Sequence, residues 1–459
     1  MNIWTSCTLS SILALSLLAP SVSFANENPN REAAVSKETA SQYPMLKKAK
    51  KPEEAGFSSE KLEKVDQLIE MEVAAGFPGA ALIVIKDGKI VKNESYGYKQ
   101  KYNEHTPLKK FKKMENETLF DLASNTKMYA TNFAIQKLVS EGKLNIQARV
   151  QQYIPEFKDT KEDVIKGKDN LRIIDVLHHT AGFRPDPQYH NPKVSKELYS
   201  QERDKTIQFI SKTPLTYVPG IQNVYSDVDY MLLGAIVEEI TGKRLDTYVE
   251  NELYKPLGLK NTKFNPLQKG FKPMDFAATE LLGNTRDGVI DFPNIRTYTL
   301  QGEVHDEKAF YSMGGVSGHA GLFSNTQDMA VLLQVMLNGG GYGKHKLFDQ
   351  KTIDEFVAPS PSAMNPTYGL GWRRNGDASM EWMFSPYASD SAYGHTGWTG
   401  TVTIIDPEKD LGIVLLTNKK HSPLVDPVAN SNQFFGDLFK TGSYGSVVTA
   451  IYEALETNE

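Results

Sequence analysis

Apolar positions recur along this chain with two rhythms. From Ser59 to Val73, Leu62, Val65, Leu68 and Ile69 fall three or four residues apart, which predicts an amphipathic helix. Pro78-Gly79 ends it. Ala80-Ala81-Leu82-Ile83-Val84-Ile85 is then an unbroken apolar run, followed by Asp87-Gly88 and Ile90-Val91, the pattern of a strand, a tight turn and a return strand. The middle of the chain keeps helical spacing. A helix after Ser124 carries Ala130, Phe133, Ala134, Leu138 and Val139 on one side and closes at Gly142. Further helices are expected at 171–179, 228–241 and 328–337, separated by long loops at 182–192 and 283–321. Near the C-terminus the apolar runs Thr401–Ile405 and Gly412–Thr417 flank Asp406-Pro407, and a last helix fits 447–455.

Strands at both ends with helices between them predict an α+β fold, an α/β sandwich. One antiparallel sheet is built from both chain ends and flanked by helices, beside a mainly helical lobe. The expected domain covers 51–459, with 51–123 and 385–459 in the sheet lobe, 124–384 in the helical lobe, and a cleft between them.

The 459 residues, 40% hydrophobic, are ample for a large core. A net charge of -5 gives no basic face for nucleic acid. Residues 1–25 read as a secretory signal: Leu9–Ala19 is apolar, and Ser23-Phe24-Ala25 offers a small-x-small cleavage site. The stretch is shorter than the roughly 20 residues of a full span. The expected location is therefore outside the cytoplasm, in the periplasm, with an uncleaved anchor in the inner membrane as the alternative. Cys7 is the only cysteine, so the exported chain would have neither disulfides nor thiolate chemistry. Residues 26–50 are polar and end in a lysine run, the pattern of a flexible leader with a solvated basic end, contact with anionic lipid being the lesser alternative.

The chemistry-bearing stretch is Asp121-Leu122-Ala123-Ser124-Asn125-Thr126-Lys127. Positions i and i+3 share a helix face, so the Ser124 hydroxyl and the Lys127 amine meet on the first turn. A serine needs a neighbouring base to become a nucleophile, and a buried or crowded lysine can lose its proton. A second copy of the spacing, Ser58-Ser59-Glu60-Lys61, lies in a polar stretch and carries less weight. Acyl transfer also needs a second proton-transfer group and donors for the oxyanion. Tyr225-Ser226-Asp227, just before a helix, supplies a phenol; Tyr189-His190-Asn191 competes but has no helix after it. Gly394-His395-Thr396-Gly397-Trp398, just before a strand, supplies an edge for a substrate to lie along. There the Trp398 N–H would pair with the Ser124 N–H as the oxyanion hole. Lys440-Thr441-Gly442 competes for that role, but too little chain follows it for a return strand. The spacing of His305, Asp306, Glu307 and His319 fits no standard zinc motif.

Together these motifs resemble the serine β-lactamase and penicillin-binding protein superfamily, in its class C-like branch. Leu177-His178-His179-Thr180-Ala181-Gly182, Leu232-Leu233-Gly234 and Gly318-His319-Ala320-Gly321 extend the resemblance. Residues 170–177, 283–296 and 304–309 look closest to the penicillin-binding protein 4B subfamily of D-alanyl-D-alanine carboxypeptidases. The resemblance implies catalysis by Ser124, Lys127 and Tyr225. It implies an oxyanion hole of the Ser124 and Trp398 amides, and substrate binding by Asp227, His395, Thr396 and Gly397. It also implies no cofactor and no metal, with peptidoglycan stem peptides as substrates and β-lactams as covalent ligands. Asp227 stands where the branch usually has Asn, and His395 where it often has Lys. The implied carboxypeptidase is therefore weak, with a histidine charge changing near pH 6.5. An esterase or D-amino-acid amidase of the same superfamily and a non-catalytic envelope binding protein are the alternatives.

Overall fold

The computed structural model describes residues 42–360 and 365–456. The segment read as a signal, 1–25, lies outside the described residues. Among them no helix is long and apolar enough to cross a membrane.

Strand Gly79–Lys86 is buried along nearly its whole length. Its side chains alternate between faces, as strand geometry requires. Ala81, Ile83 and Ile85 enter one core cluster, and Ala80, Leu82 and Val84 enter another. A strand buried on both sides shows no polar alternation, which is why the run reads as continuous. Asp87 and Gly88 both take positive φ, 51° and 69°, the mirror-image turn that suits a two-residue hairpin. The return strand is Lys89–Asn103, far longer than Ile90-Val91, and it continues into a second hairpin with Thr106–Lys113.

The other end of the chain completes the sheet. Leu411–Thr417 pairs antiparallel with Gly79–Lys86, placing Val414 opposite Ile83 and Leu415 opposite Leu82. Thr401–Asp406, Tyr393–Gly397 and Arg373–Arg374 follow in that order to the far edge. The result is one eight-stranded sheet made from both chain ends, as the pattern predicts. It is antiparallel except at its near edge. There Lys47–Lys48 lies parallel to Lys89 and Ile90, and the Lys47 and Ala49 amides donate to the Gly88 and Ile90 carbonyls. That part of the expected leader is a strand, because its backbone finds partners whatever its side chains are.

Helices Ser59–Ala74 and Gly445–Glu453 cover one face, packing Leu62, Val65, Val447 and Ile451 over Leu82 and Val84. Helix Thr326–Leu337 covers the other with Met329, Leu332 and Leu333, and leads into the helical middle. Truncating Ile83 or Val414 to alanine at this double interface costs about 2 to 4 kcal/mol.

Helix Asp227–Thr241 is started by Ser226, whose Oγ accepts from the Val228 N–H, and closed by Gly242 in the left-handed conformation. Gly234 on this helix meets Gly318: a Cβ on Gly318 would lie 2.0 Å from the Tyr230 carbonyl oxygen. The two glycines draw the 315–321 loop against the helix and bring His319 beside Lys127.

Candidate functional site

The helix that carries Lys127 is not a plain α-helix. After a short helical turn at Asn125–Thr126, Lys127–Asn132 widens into a π-turn, and Phe133–Ser140 continues as α-helix. Such widened turns recur at functional sites. Ala123 takes a left-handed φ of 46°, so the chain bends sharply into Ser124. Its N–H donates to the buried Asp121 Oδ1 at 2.8 Å, which holds the bend.

The C-terminal strands clamp this turn. Thr399 and Thr401 donate to the Asp121 and Leu122 carbonyls, and Asn125 bridges Thr401 and Thr403. Gly397 is glycine for a steric reason: a Cβ there would lie 2.3 Å from the Leu122 carbonyl oxygen. Strand Tyr393–Gly397 can press against the Ser124 turn only without that atom. The Ser124 and Trp398 amides have no acceptor among the described residues, and both residues line the cleft.

Lys127 is fully buried. Its Nζ donates to Ser124 Oγ at 3.0 Å, to Asp227 Oδ1 at 2.8 Å and to the His319 carbonyl at 3.3 Å, and sits 4.7 Å from the Tyr225 ring centroid. Burial pulls the Lys127 ammonium down, but the Asp227 carboxylate and the Tyr225 phenol carry it above the ordinary lysine value. This corrects the expectation that burial frees the amine as a base: beside Asp227, Lys127 is a cation.

Asp227 belongs to a larger ionic cluster. Its other oxygen lies 3.3 Å from Lys308 Nζ, which also meets Asp186 at 3.2 Å and Asp306 at 3.1 Å. Asp306 in turn meets His319 Nε2 at 2.9 Å. Burial alone would raise Asp227, but Lys127, Lys308 and His319 hold it well below the usual carboxylate range. Asp227, Asp306 and His319 come close enough to share a metal ion, yet Lys127 and Lys308 already answer their charge.

Tyr225 stands between two histidines, 4.7 Å from the ring of His179 and 5.9 Å from that of His395. His179 Nδ1 accepts from the Ser226 N–H at 3.3 Å and lies 2.7 Å from Asp229. Burial drives His179 down to about 3 and, with Asp227 nearby, raises Asp229 well above its ordinary value. The two share a proton across this contact, and the imidazole is uncharged near neutral pH.

His395 departs from expectation. Its Nδ1–H donates to the Thr396 carbonyl at 2.8 Å, leaving Nε2 as a buried acceptor without a partner among the described residues. Burial, then Arg373 and Lys127, hold it well below 6.5, so its charge does not change near that pH. The cation on this side is one that the sequence did not reveal. Arg373 lines the cleft, forms no ion pair among the described residues, and leaves its buried Nε unbonded. Nothing in Gly371-Trp372-Arg373 signals a site; only the sheet edge places it there.

Ser124 lies where two clefts meet, of about 470 and 510 Å³. The first runs past Arg373, His395, Thr396, Gly397 and Lys420. The second runs past Asp227, Asp186, His190, Phe292 and Glu307. Tyr225, Trp398 and Asn432 border both.

The competing motifs supply no second phenol or substrate edge: Tyr189-His190-Asn191 does precede a short helix, Pro192–Ser195, capped by Asn191, and only its His190 reaches the second cleft. Tyr189 is buried and pairs with Thr213 at 2.5 Å. Lys440–Ser443 is a short helix, and Ser58 caps a helix by accepting from the Lys61 N–H.

A family model described as Beta-lactamase matches residues 65–436. A Bacillus subtilis (strain 168) protein named N-acetylmuramyl-L-alanine amidase is 62% identical over 447 residues, covering 97% of this chain and 98% of that protein. A Salmonella schwarzengrund (strain CVM19633) protein named "Putative D-alanyl-D-alanine carboxypeptidase" is 58% identical over 417 residues, covering 91% of this chain and 96% of that protein. Among solved structures, "EstCE1, a hydrolase with promiscuous acyltransferase activity" is similar with a TM-score of 0.60 at 20% identity, covering 87% of this chain and 99% of that one, a likeness of fold alone. With a family model matching most of its length and relatives this similar nearly end to end, the chain belongs to the beta-lactamase family.

Proposed function

We propose that this chain is a serine amidase that cleaves the amide bond between the lactyl group of N-acetylmuramic acid and L-alanine. The likeness to the Bacillus subtilis amidase over nearly the whole of both chains carries the reading. The paired clefts support it, because such a substrate presents a sugar on one side of the scissile bond and a carboxylate-bearing amino acid or peptide on the other.

Ser124 Oγ attacks the lactyl carbonyl carbon while the Tyr225 oxygen, acting as a phenolate beside the Lys127 ammonium, takes the hydroxyl proton. The oxyanion faces the Ser124 and Trp398 amides, a contribution of about 3 kcal/mol per donor in comparable sites. Tyr225 returns the proton to the leaving amine, and water then hydrolyses the ester on Ser124. Thr396 and Arg373 hold the carboxylate of the leaving group.

Purified protein should release L-alanine from N-acetylmuramyl-L-alanine, and Ser124→Ala should abolish release. Absence of release from the native protein would overturn the reading. Release of D-alanine from a peptide ending in D-alanyl-D-alanine would instead favour the carboxypeptidase reading. Arg373 and the name of the Salmonella relative support that second reading, since its leaving group also carries a carboxylate. We read residues 1–25 as an export signal, and a substrate of peptidoglycan origin suits an exported chain. Intact-mass measurement of protein from an envelope fraction tests whether residues 1–25 are removed. Penicillins should acylate Ser124 slowly, because Asp227 adds negative charge beside an anionic ligand.

A further inference from the structure

The second cleft differs in charge from the first. In the first, Arg373 has no acidic partner. In the second, among the described residues, Asp186, Asp227, Asp306 and Glu307 share three cations, Lys308, Lys127 and Arg286, the last also held by Glu280. No ammonium there is free for an anionic ligand, and the carboxylates are already engaged in ion pairs. What remains is neutral hydrogen-bonding capacity against an apolar wall.

His190 is the clearest case. It is buried, and its Nδ1 makes no hydrogen bond among the described residues. Its ring packs against Phe292 at 4.6 Å and Tyr311 at 6.0 Å. Burial holds it below 6.5, so it is uncharged near neutral pH. The His190 side chain lines this cleft, and no protein group among the described residues uses its Nδ1, so the ring retains neutral hydrogen-bonding capacity. Gln188 lines the same cleft from the same loop, and Ile290 extends the apolar wall.

Resting on the amidase reading above, we infer that the second cleft is a saccharide subsite: it takes the pyranose ring of the muramyl group, with His190 and Gln188 bonding its hydroxyl and acetamide groups and Phe292 forming the wall. Paired carboxylates and amines suit vicinal hydroxyls, each of which donates and accepts at once. The arrangement also orients the substrate, sugar in the second cleft and carboxylate toward Arg373 in the first.

Two substrates with the same scissile bond test this: N-acetylmuramyl-L-alanine, and its sugar-free counterpart 2-methoxypropionyl-L-alanine. The native protein should prefer the first in kcat/KM by about a hundredfold, and His190→Phe or Gln188→Ala should each cut that ratio about tenfold, the worth of one hydrogen bond to an uncharged group. A variant that merely destabilises the fold lowers both rates and leaves the ratio unchanged. In parallel, binding of N-acetylmuramic acid to Ser124→Ala protein is measured by calorimetry, with and without Gln188→Ala, which should weaken it about tenfold. No preference in the native protein, or a ratio unmoved by both variants, overturns the subsite. Failure of the sugar to bind does the same. Sugar binding that Gln188→Ala weakens, with no amide turnover, would instead sustain the subsite and overturn the amidase reading.

Discussion

Replacing Asp227 by asparagine removes its charge at nearly constant shape and tests the ionic cluster directly. Asp227 lies 2.8 Å from Lys127 Nζ and 3.3 Å from Lys308 Nζ. Two unit charges 2.8 Å apart at an effective dielectric of about 20 attract by about 6 kcal/mol. Burial offsets much of this, and removing one partner of a buried pair costs about 3 to 5 kcal/mol. Two outlets soften the loss: Lys308 keeps Asp186 and Asp306, and Lys127 can shed its proton. We expect a loss of about 2 to 3 kcal/mol at pH 7, below the range for a pair with no such outlet, and a melting temperature lower by several degrees. The sign follows from linkage. A carboxyl held below its unfolded value stabilises the fold fully above about pH 4, and that contribution fades as pH falls through the lower folded value. The deficit of Asp227→Asn should therefore be full at pH 7 and shrink in strong acid. In catalysis, Lys127 loses its main counter-charge, so the kinetic limb that reports it moves to lower pH. Penicillin, being anionic, should acylate the variant faster. Thermal unfolding at pH 7 and pH 3, with intact-mass acylation rates across pH, checks all three. Melting curves and rate profiles that superimpose on the native ones would falsify the claim that Asp227 holds Lys127 charged.

Three further outcomes follow from the same geometry. Arg373→Ala should raise KM for substrates whose leaving group carries a carboxylate by about 10- to 100-fold, the worth of a charged hydrogen bond; an equal rise for a neutral nitrophenyl ester would argue against that role. Gly397→Ala would place a methyl group 2.3 Å from the Leu122 carbonyl, so strand and turn must separate, and acylation should fall about a hundredfold while far-ultraviolet circular dichroism stays native. His395 is held uncharged in the fold but would bind a proton below about pH 6.5 when unfolded, so native stability should decline as pH falls through that point. In chemical denaturation across pH, His395→Gln should flatten that decline, and an undiminished slope would count against it.

The parts of this molecule legible in its sequence are those where local pattern and global packing coincide. Gly79–Lys86 and Leu411–Thr417 announce themselves because both faces are buried, and Asp87-Gly88 because its turn demands positive φ. Thr106–Lys113 does not, since its side chains point largely to water, and the contact of Phe111 with Tyr98 on the paired strand cannot be read from local pattern. Ser124 and Lys127 are readable because three residues of helix bring them together. Arg373, Asp186 and Lys308 are not, because only the folded chain joins a sheet edge, a loop and a π-turn at one point. The His395 tautomer depends on the neighbouring carbonyl, a relation that residue type cannot express.

The central strand pair joins residues 79–86 to residues 411–417. During synthesis, therefore, the first of these strands can pair early with Lys89–Asn103 but waits for its other neighbour until residues 87–410 have been made. Long-range pairing of this kind is slow to form. A chain crossing a membrane unfolded gains from such delay, because no closed sheet can obstruct its passage. The same delay makes the waiting strand a target for chaperones, or for mispairing when they are scarce.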